Sequence, residues 1–327
     1  IGQYNYSLNK ALKKVKGNIV YFDFAALLEE LALYPKDYGL ATTLVAHCTL
    51  GYSSRSCDFN SPYYHPESSL FSDWFHPSPE AHHMMAQNIL AIFNAPLYIS
   101  AIARDFSHLN EVRSFYLQGL ITTFPRGKIK PHLFAAVSNG NDQDTLWINS
   151  KSHSVNLLHF GVIQSINRHW TLGAALSLAS EKVHPHTLLH YHVRYQAVSL
   201  LAQYQSEGPF YFNGNIALSH LDTRSIKRSV LIGPRLLNLS GQTEALGIAA
   251  LLRAGLQAPF RAHEERGVFV QIDAAHYDVH GFDEQGKKFL AMHYSPYVYT
   301  KENLSLGLNY LYRSDRLPLN FQLETLL

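Results

Sequence analysis

Beyond residue 118 the chain alternates between apolar and small polar positions with a period of two. In Trp170 to Glu181 one side carries Trp170, Leu172, Ala174, Leu176 and Leu178, and the other Thr171, Gly173, Ala175, Ser177, Ala179 and Glu181. Asn303 to Arg313 sets Leu304, Leu306, Leu308, Tyr310 and Tyr312 against Asn303, Ser305, Gly307, Asn309, Leu311 and Arg313. Phe210, Phe212, Gly214, Ile216 and Leu218 alternate with Tyr211, Asn213, Asn215, Ala217 and Ser219. Further runs near 128–138, 154–165, 191–204, 226–237, 243–257, 267–279, 289–299 and 317–326 bring the expectation to about eleven strands. Runs of about ten residues with Tyr and Trp near their ends fit an outer-membrane β-barrel. The alternative is a soluble β-sandwich, whose strands are typically 5–6 residues long and carry more outward charge.

The first 96 residues have a different texture. Asn18 to Phe24 is a short apolar run of the kind a buried parallel strand shows, following a helix that ends near Lys16. Leu27, Leu28, Leu31 and Ala32 make a helical stripe that stops before Pro35. Ser78-Pro79-Glu80 reads as an N-cap, a first-turn proline and an acidic first turn, opening a helix that runs to about Phe93 and stops before Pro96. Residues 97–118 predict one more helix. Strand, helix, loop and helix are the tail of an α/β sandwich, too short for a complete one.

Composition sharpens the picture. Charged residues are only 16% of the chain, against roughly 25% in soluble domains, so little of the surface is built to face water. Aromatics at 13% exclude a disordered chain. Lys and Arg (27) barely exceed Asp and Glu (25), which leaves no footprint for a nucleic-acid partner. Without 18 consecutive apolar residues no spanning helix is predicted, and a closed barrel is the remaining way to cross a bilayer. Cys48 and Cys57 lie close together in a loop-like segment; they form either a local disulfide, which needs an oxidising compartment, or two unpaired thiols. His184, His186, His190 and His192 form the densest histidine group, which reads as a polar hairpin near a membrane interface; no metal or other cofactor is expected.

Asp73 and His76 stand three apart in a loop that feeds a helix N-terminus. Nucleophilic ester hydrolysis needs a His base and a carboxylate that fixes its tautomer, and one turn of backbone presents both at this spacing. Alone the pattern is weak; Asp73 could simply form the turn.

Its surroundings add to it. Phe71, Asp73, His76, Pro77, Ser78, Ala81 and His82 resemble the last block of the GDSL (SGNH) esterases, specifically the autotransporter esterases of Gram-negative outer membranes. The stretch from Tyr21-Phe22-Asp23 to Tyr34-Pro35-Lys36-Asp37-Tyr38-Gly39-Leu40, with Cys48 and Cys57, is similar to what precedes that block. Ile226-Lys227-Arg228-Ser229-Val230-Leu231-Ile232-Gly233, Gly241-x-Thr243 and Val279-x-Gly281-Phe282-x-Glu284 resemble the family's translocator. The resemblance implies residues 1–96 as the C-terminal part of an esterase sandwich, 97–118 as a linker helix in the barrel lumen, and 119–327 as an incomplete autotransporter barrel. It implies Asp73 orienting His76, and His76 as general base. It further implies outer-membrane lipid, an ester or lipid substrate and the barrel assembly machinery as partners, with the passenger at the cell surface.

The departures are specific. The family's Gly-Asp-Ser nucleophile block is absent, as are its second and third blocks; Gly140-Asn141-Asp142 imitates the third but falls between candidate strands and is expected to be a turn. The chain ends in Glu324-Thr325-Leu326-Leu327 rather than an aromatic residue. It is therefore expected to be an interior fragment, inactive by itself and poor at inserting into a bilayer. The competing expectation is a non-enzymatic outer-membrane barrel with a decayed passenger.

Overall fold

The computed structural model describes residues 2–12, 14, 20–41, 46–49, 52–57, 60–65, 68–124, 130–142, 153–261, 264–313 and 320–326. They fall into two units, one formed by Ile1–Leu97, Ser229–Leu239 and Gly286–Met292, the other by Tyr98–Arg228, Ser240–Gln285 and His293–Leu327.

Three helices precede the sheet: α1 (Gly2–Leu12), α2 (Phe24–Leu33) and α3 (Pro79–Thr123). The strands are β1 (His132–Asp142), β2 (His153–Ser165), β3 (Trp170–His186), β4 (Leu189–Gln205), β5 (Phe210–Ile232), β6 (Arg235–Arg261), β7 (Glu264–Val279), the short pair β8 (Phe282–Asp283) and β9 (His293–Tyr294), then β10 (Tyr297–Arg313) and β11 (Asn320–Leu326). Nine of them form one sheet in the order β1-β2-β3-β4-β5-β6-β7-β10-β11. Among the described residues no pairing joins β1 to β11.

The strands outrun their hydrophobic patterns. The runs at 210–219 and 226–237 do not form two separate strands: β5 passes through both, and Gly233, at a φ of 55°, turns it into β6. His220 to Ser225 breaks the apolar alternation but not the strand, because beyond a hydrocarbon layer the ladder no longer needs an apolar face. The run at 289–299 splits instead: β10 begins at Tyr297, and Phe289 and Leu290 join the core of the other unit. Gly140-Asn141-Asp142 is the end of β1 rather than a turn.

Polarity in the sheet is inverted relative to a soluble protein. Val198 and Leu200 on β4 are 58% and 65% exposed, while their neighbours Ser199 and Gln203 are buried. The same holds for exposed Ile216 and Leu218 beside buried Asn213 and Asn215, and for exposed Leu304, Leu306 and Leu308 beside buried Asn309. The apolar face is the outer one, as lipid requires.

The polar face encloses the second half of α3. Asn110 accepts from the Tyr195 hydroxyl at 2.8 Å, Arg113 donates to Ser199 at 2.6 Å, and Thr122 accepts from Asn213 at 2.9 Å. Tyr116 stacks on His159 of β2, Val112 abuts Gly140 of β1, and Glu111 pairs with Lys301 of β10. In a flat sheet β1 and β10 would lie about 34 Å apart, at about 4.8 Å per strand. One helix, about 10–12 Å across with its side chains, touches both only if the sheet is rolled around it.

The helices expected on either side of Pro96 are one, 45 residues long. Pro96 removes one backbone bond and crowds the carbonyl of Ile92, a defect of about 3 kcal/mol. Burial of Ile92, Ala95, Ile99 and Ile102 around it offsets that cost. The strand expected over 18–24 lies partly outside the described residues; Val20 to Asp23 adopt no strand, and the Asp23 carboxylate caps α2 by accepting from the Ala26 amide at 3.0 Å.

The first unit draws its core from three stretches of chain. Leu27, Leu31, Leu40 and Leu70 pack with Val230, Ile232 and Leu237 from the β5–β6 tip and with Phe289. Gln87 accepts from the Gly233 amide at 2.6 Å, and Asn88 donates to the Phe289 carbonyl at 2.9 Å. Arg235 pairs with Asp37 at 2.9 Å and Lys287 with Glu30 at 2.7 Å.

Candidate active site

Residues 70–78 form a pinched loop. The Ser72 amide donates to the His76 carbonyl at 2.8 Å and the Ser78 amide to the Leu70 carbonyl at 3.0 Å. Ser78 then caps α3, its hydroxyl accepting from the Ala81 amide at 3.1 Å. Closure of the loop turns the Asp73 side chain inward. Its carboxylate accepts from the backbone amides of Ser54 (2.8 Å), Phe75 (3.1 Å) and His76 (2.9 Å). Nδ1 of His76 lies 2.8 Å from its Oδ2 and 3.0 Å from its Oδ1.

Electrostatics follow from that list. Burial alone would raise the Asp73 carboxyl, but the Ser54 and His76 amides, the His76 ring and the Phe75 amide overcome it and hold it well below the ordinary carboxylate range. An ionised Asp73 accepts from Nδ1–H, so the His76 lone pair is at Nε2. The Asp73 side chain is 3% exposed and that of His76 49%, so the carboxylate is sealed while the ring opens to the surface. Such a pair can hold an imidazole in one tautomer, present Nε2 to a hydroxyl and stabilise the imidazolium that forms.

The site extends beyond the sequence pattern. Ser54, between the two cysteines, gives Asp73 its amide, and its hydroxyl lies 3.4 Å from His76 Nδ1. That is the nitrogen already held by the carboxylate, so Ser54 is not placed for activation by Nε2. Cys48 and Cys57 are joined in a disulfide with their Cα atoms 5.9 Å apart, which closes the segment carrying Ser54. His47 bonds the His65 carbonyl at 2.8 Å through Nδ1 and Glu80 at 3.2 Å through Nε2, tying this loop to the start of α3. No sequence signal pointed to Ser54 or His47, because both act through folded loop geometry. Trp74 and Phe75 project outward, with the Phe75 ring centroid 4.1 Å from that of His76.

The other histidines lie elsewhere. His82 bonds the Ser78 carbonyl at 3.0 Å through Nδ1 rather than joining the pair. His184 and His190 stack at 5.5 Å on the sheet. Among the described residues no group of three or more His, Cys, Asp or Glu side chains is arranged to hold a metal ion.

Comparison with known proteins places these features. Residues 133–324 match the autotransporter β-domain model, and residues 1–89 match the GDSL-like lipase/acylhydrolase model. The chain is 24% identical over 307 residues to Lipase 1 of Photorhabdus luminescens, covering 91% of this chain and 45% of that protein. It is 22% identical over 335 residues to Esterase EstA of Pseudomonas aeruginosa, covering 96% of this chain and 51% of that protein. The chain thus spans about half the length of the curated relatives it matches. Among solved structures, the translocator domain of NalP from Neisseria meningitidis aligns with a TM-score of 0.49 at 12% identity, over 67% of this chain and 73% of that one. The β-domain places the protein in the outer membrane with its passenger at the cell surface. The chain belongs to the autotransporter family, its β-domain preceded by a segment of the GDSL-like lipase/acylhydrolase family.

Proposed function

We propose that this chain is part of a surface-displayed carboxylic-ester hydrolase of the Ser-His-Asp type. In this reading Asp73 orients His76, and Nε2 of His76 takes the proton of a serine that the full-length protein supplies outside these 327 residues. The carrying observation is the Asp73–His76 pair itself: a sealed, four-donor carboxylate on Nδ1 and a half-exposed ring presenting Nε2. The names of the relatives, a lipase and an esterase, support the same chemistry.

Residues up to about 96 act as the passenger's C-terminal part, 97–118 as the linker through the lumen, and 119–327 as the anchor. Outer-membrane lipid, an ester or lipid substrate and the barrel assembly machinery are the partners this reading requires.

The test is ester hydrolysis by the full-length protein in outer-membrane fractions. Activity that is blocked by a serine-directed inhibitor and lost in His76→Ala supports the proposal. No such activity in the intact protein would leave a non-enzymatic barrel. The 327-residue chain alone is expected to hydrolyse no ester, because covalent catalysis has no nucleophile there.

A further inference from the structure

The outward face of β3, β4 and β5 changes character near the β3–β4 hairpin. Below it, Leu176, Val198, Leu200 and Leu218 are exposed on the outer face. Above it, the same face carries Lys182 and His184 on β3, His190, His192 and Arg194 on β4, and His220, Arg224 and Lys227 on β5, with Ser180, Gln196 and Asp222 among them. Lys182 lies opposite His192, and His192 opposite Arg224, so a row of three crosses adjacent strands. Arg194 stands one step lower, opposite Ser180 and Asp222. His190 pairs with Lys227 one step higher, and its ring stacks on His184.

The positive φ of Ser225 and the register shift between His190 and His192 put Lys227, three residues after Arg224, on the same outer face, opposite His190. Asp222, 2.6 Å from Arg224, is the carboxylate within the patch, against Lys182, Arg194, Arg224 and Lys227. Further round the sheet the sign changes, where Glu244 lies between His220 and His280. The basic character is therefore concentrated on three strands and is not a uniform polar belt.

The patch lies at the cell-surface end. Asp105, early in the enclosed part of α3, meets Tyr191 beside the hairpin, while Thr122 meets Asn213 toward the other end. The chain therefore enters the rolled sheet at the hairpin end, with the enclosed part of α3 running from there toward the other end.

We propose that Lys182, His192, Arg194, Arg224 and Lys227 form a binding site for the phosphate groups of an outer-leaflet lipid. The apolar surface directly below receives its acyl chains. Lys182 and Arg224 flank His192 in one row, two strands and about 9.6 Å apart, with Arg194 diagonal to both. Guanidinium forks and an ammonium at this spacing suit the oxygens of a phosphate group set between them, and a lipid held at both ends needs this continuity of basic crown and apolar wall.

The test uses the protein extracted from outer membranes in detergent and stripped of lipid. Unfolding temperature and bound-lipid count by native mass spectrometry are read with a phosphorylated glycolipid, its dephosphorylated form and inorganic phosphate. The phosphorylated lipid should bind and raise the unfolding temperature, and the other two should not. A juxtamembrane basic residue is worth roughly fivefold in anionic-lipid affinity, so K182Q/R194Q/R224Q should bind about a hundredfold more weakly. Equal binding of the dephosphorylated lipid, or unchanged binding by the variant, would overturn the proposal; equal stabilisation by inorganic phosphate would replace the lipid with a free anion. Should the triple variant fail to refold, Lys182→Gln alone, at an exposed position, should still weaken binding about fivefold, and unchanged affinity there would overturn the proposal equally.

Discussion

Asp73 accepts from three amides and one imidazole, so its ionised form is built into the loop. Two outcomes follow at this scale. In the full-length protein, Asp73→Asn keeps the size of the side chain but favours the wrong His76 tautomer. On the proposed catalytic role, kcat should fall about 10⁴-fold, with the far-UV spectrum unchanged. The second concerns pH. A carboxyl held below its ordinary value of 3.8 contributes stability that is fully present above that value and is lost as pH falls through the depressed one. Protection against hydrogen exchange at the Ser54, Phe75 and His76 amides, taken relative to the unstructured rate at each pH, should therefore fall on acidification below about pH 4, while in Asp73→Asn it should show no such onset. The disulfide adds a local constraint: closing a loop of about ten residues is worth about 2–3 kcal/mol. Reduction should make the 48–57 segment sensitive to protease before the sheet is.

Among the elements, the β5–β6 tip is the least expected. Its residues 229–239 pack with α2 and the start of α3 in one unit, so two strands end in a core formed largely by another part of the chain. Leu31 and Ile232 are fully buried there. Truncating either to Ala should cost about 2–5 kcal/mol, with protease cleavage within 20–97 appearing while the sheet keeps its heat-resistant migration. A loss of that migration at the same denaturant concentration would contradict the division into two units.

For the molecule as a whole, the decisive fact is which face of the sheet is wet. Leu200 points outward, and Leu200→Arg should cost about 2–4 kcal/mol if that face lies near the bilayer midplane, read as lost heat-modifiable migration in lipid. Inside, Arg228 and Glu284 form a two-point ion pair at 2.8 and 2.6 Å, with both side chains essentially inaccessible. Removing one partner, as in Glu284→Leu, should cost about 3–5 kcal/mol because it leaves a buried charge alone.

Much of this was already legible in residue order. Period-two runs marked the strands and sorted their faces correctly, since side chains must alternate across a pleat. Asp73, His76 and Ser78 were legible because their geometry is made within one short loop. Arg228, Thr243, Phe282 and Glu284 appeared only as separate fragments of a resemblance; the fold brings them together, with Gly241 leaving room for Phe282 and Thr243 bonding the His280 carbonyl. Strand ends past the apolar band were not legible, because there the ladder continues without a hydrophobic pattern. Nor was the continuity of α3 through Pro96, since a local rule ends a helix there and only burial on both sides overrides it.

By itself, then, the sequence determined the alternation, the low charge and the loop that pairs Asp73 with His76, all of which depend on neighbours a few residues apart. The tertiary structure decided which face turns outward, what fills the rolled sheet and where Ser54 meets Asp73. Those depend on residues far apart in the chain, whose proximity is set by packing and backbone hydrogen bonding rather than by local preference.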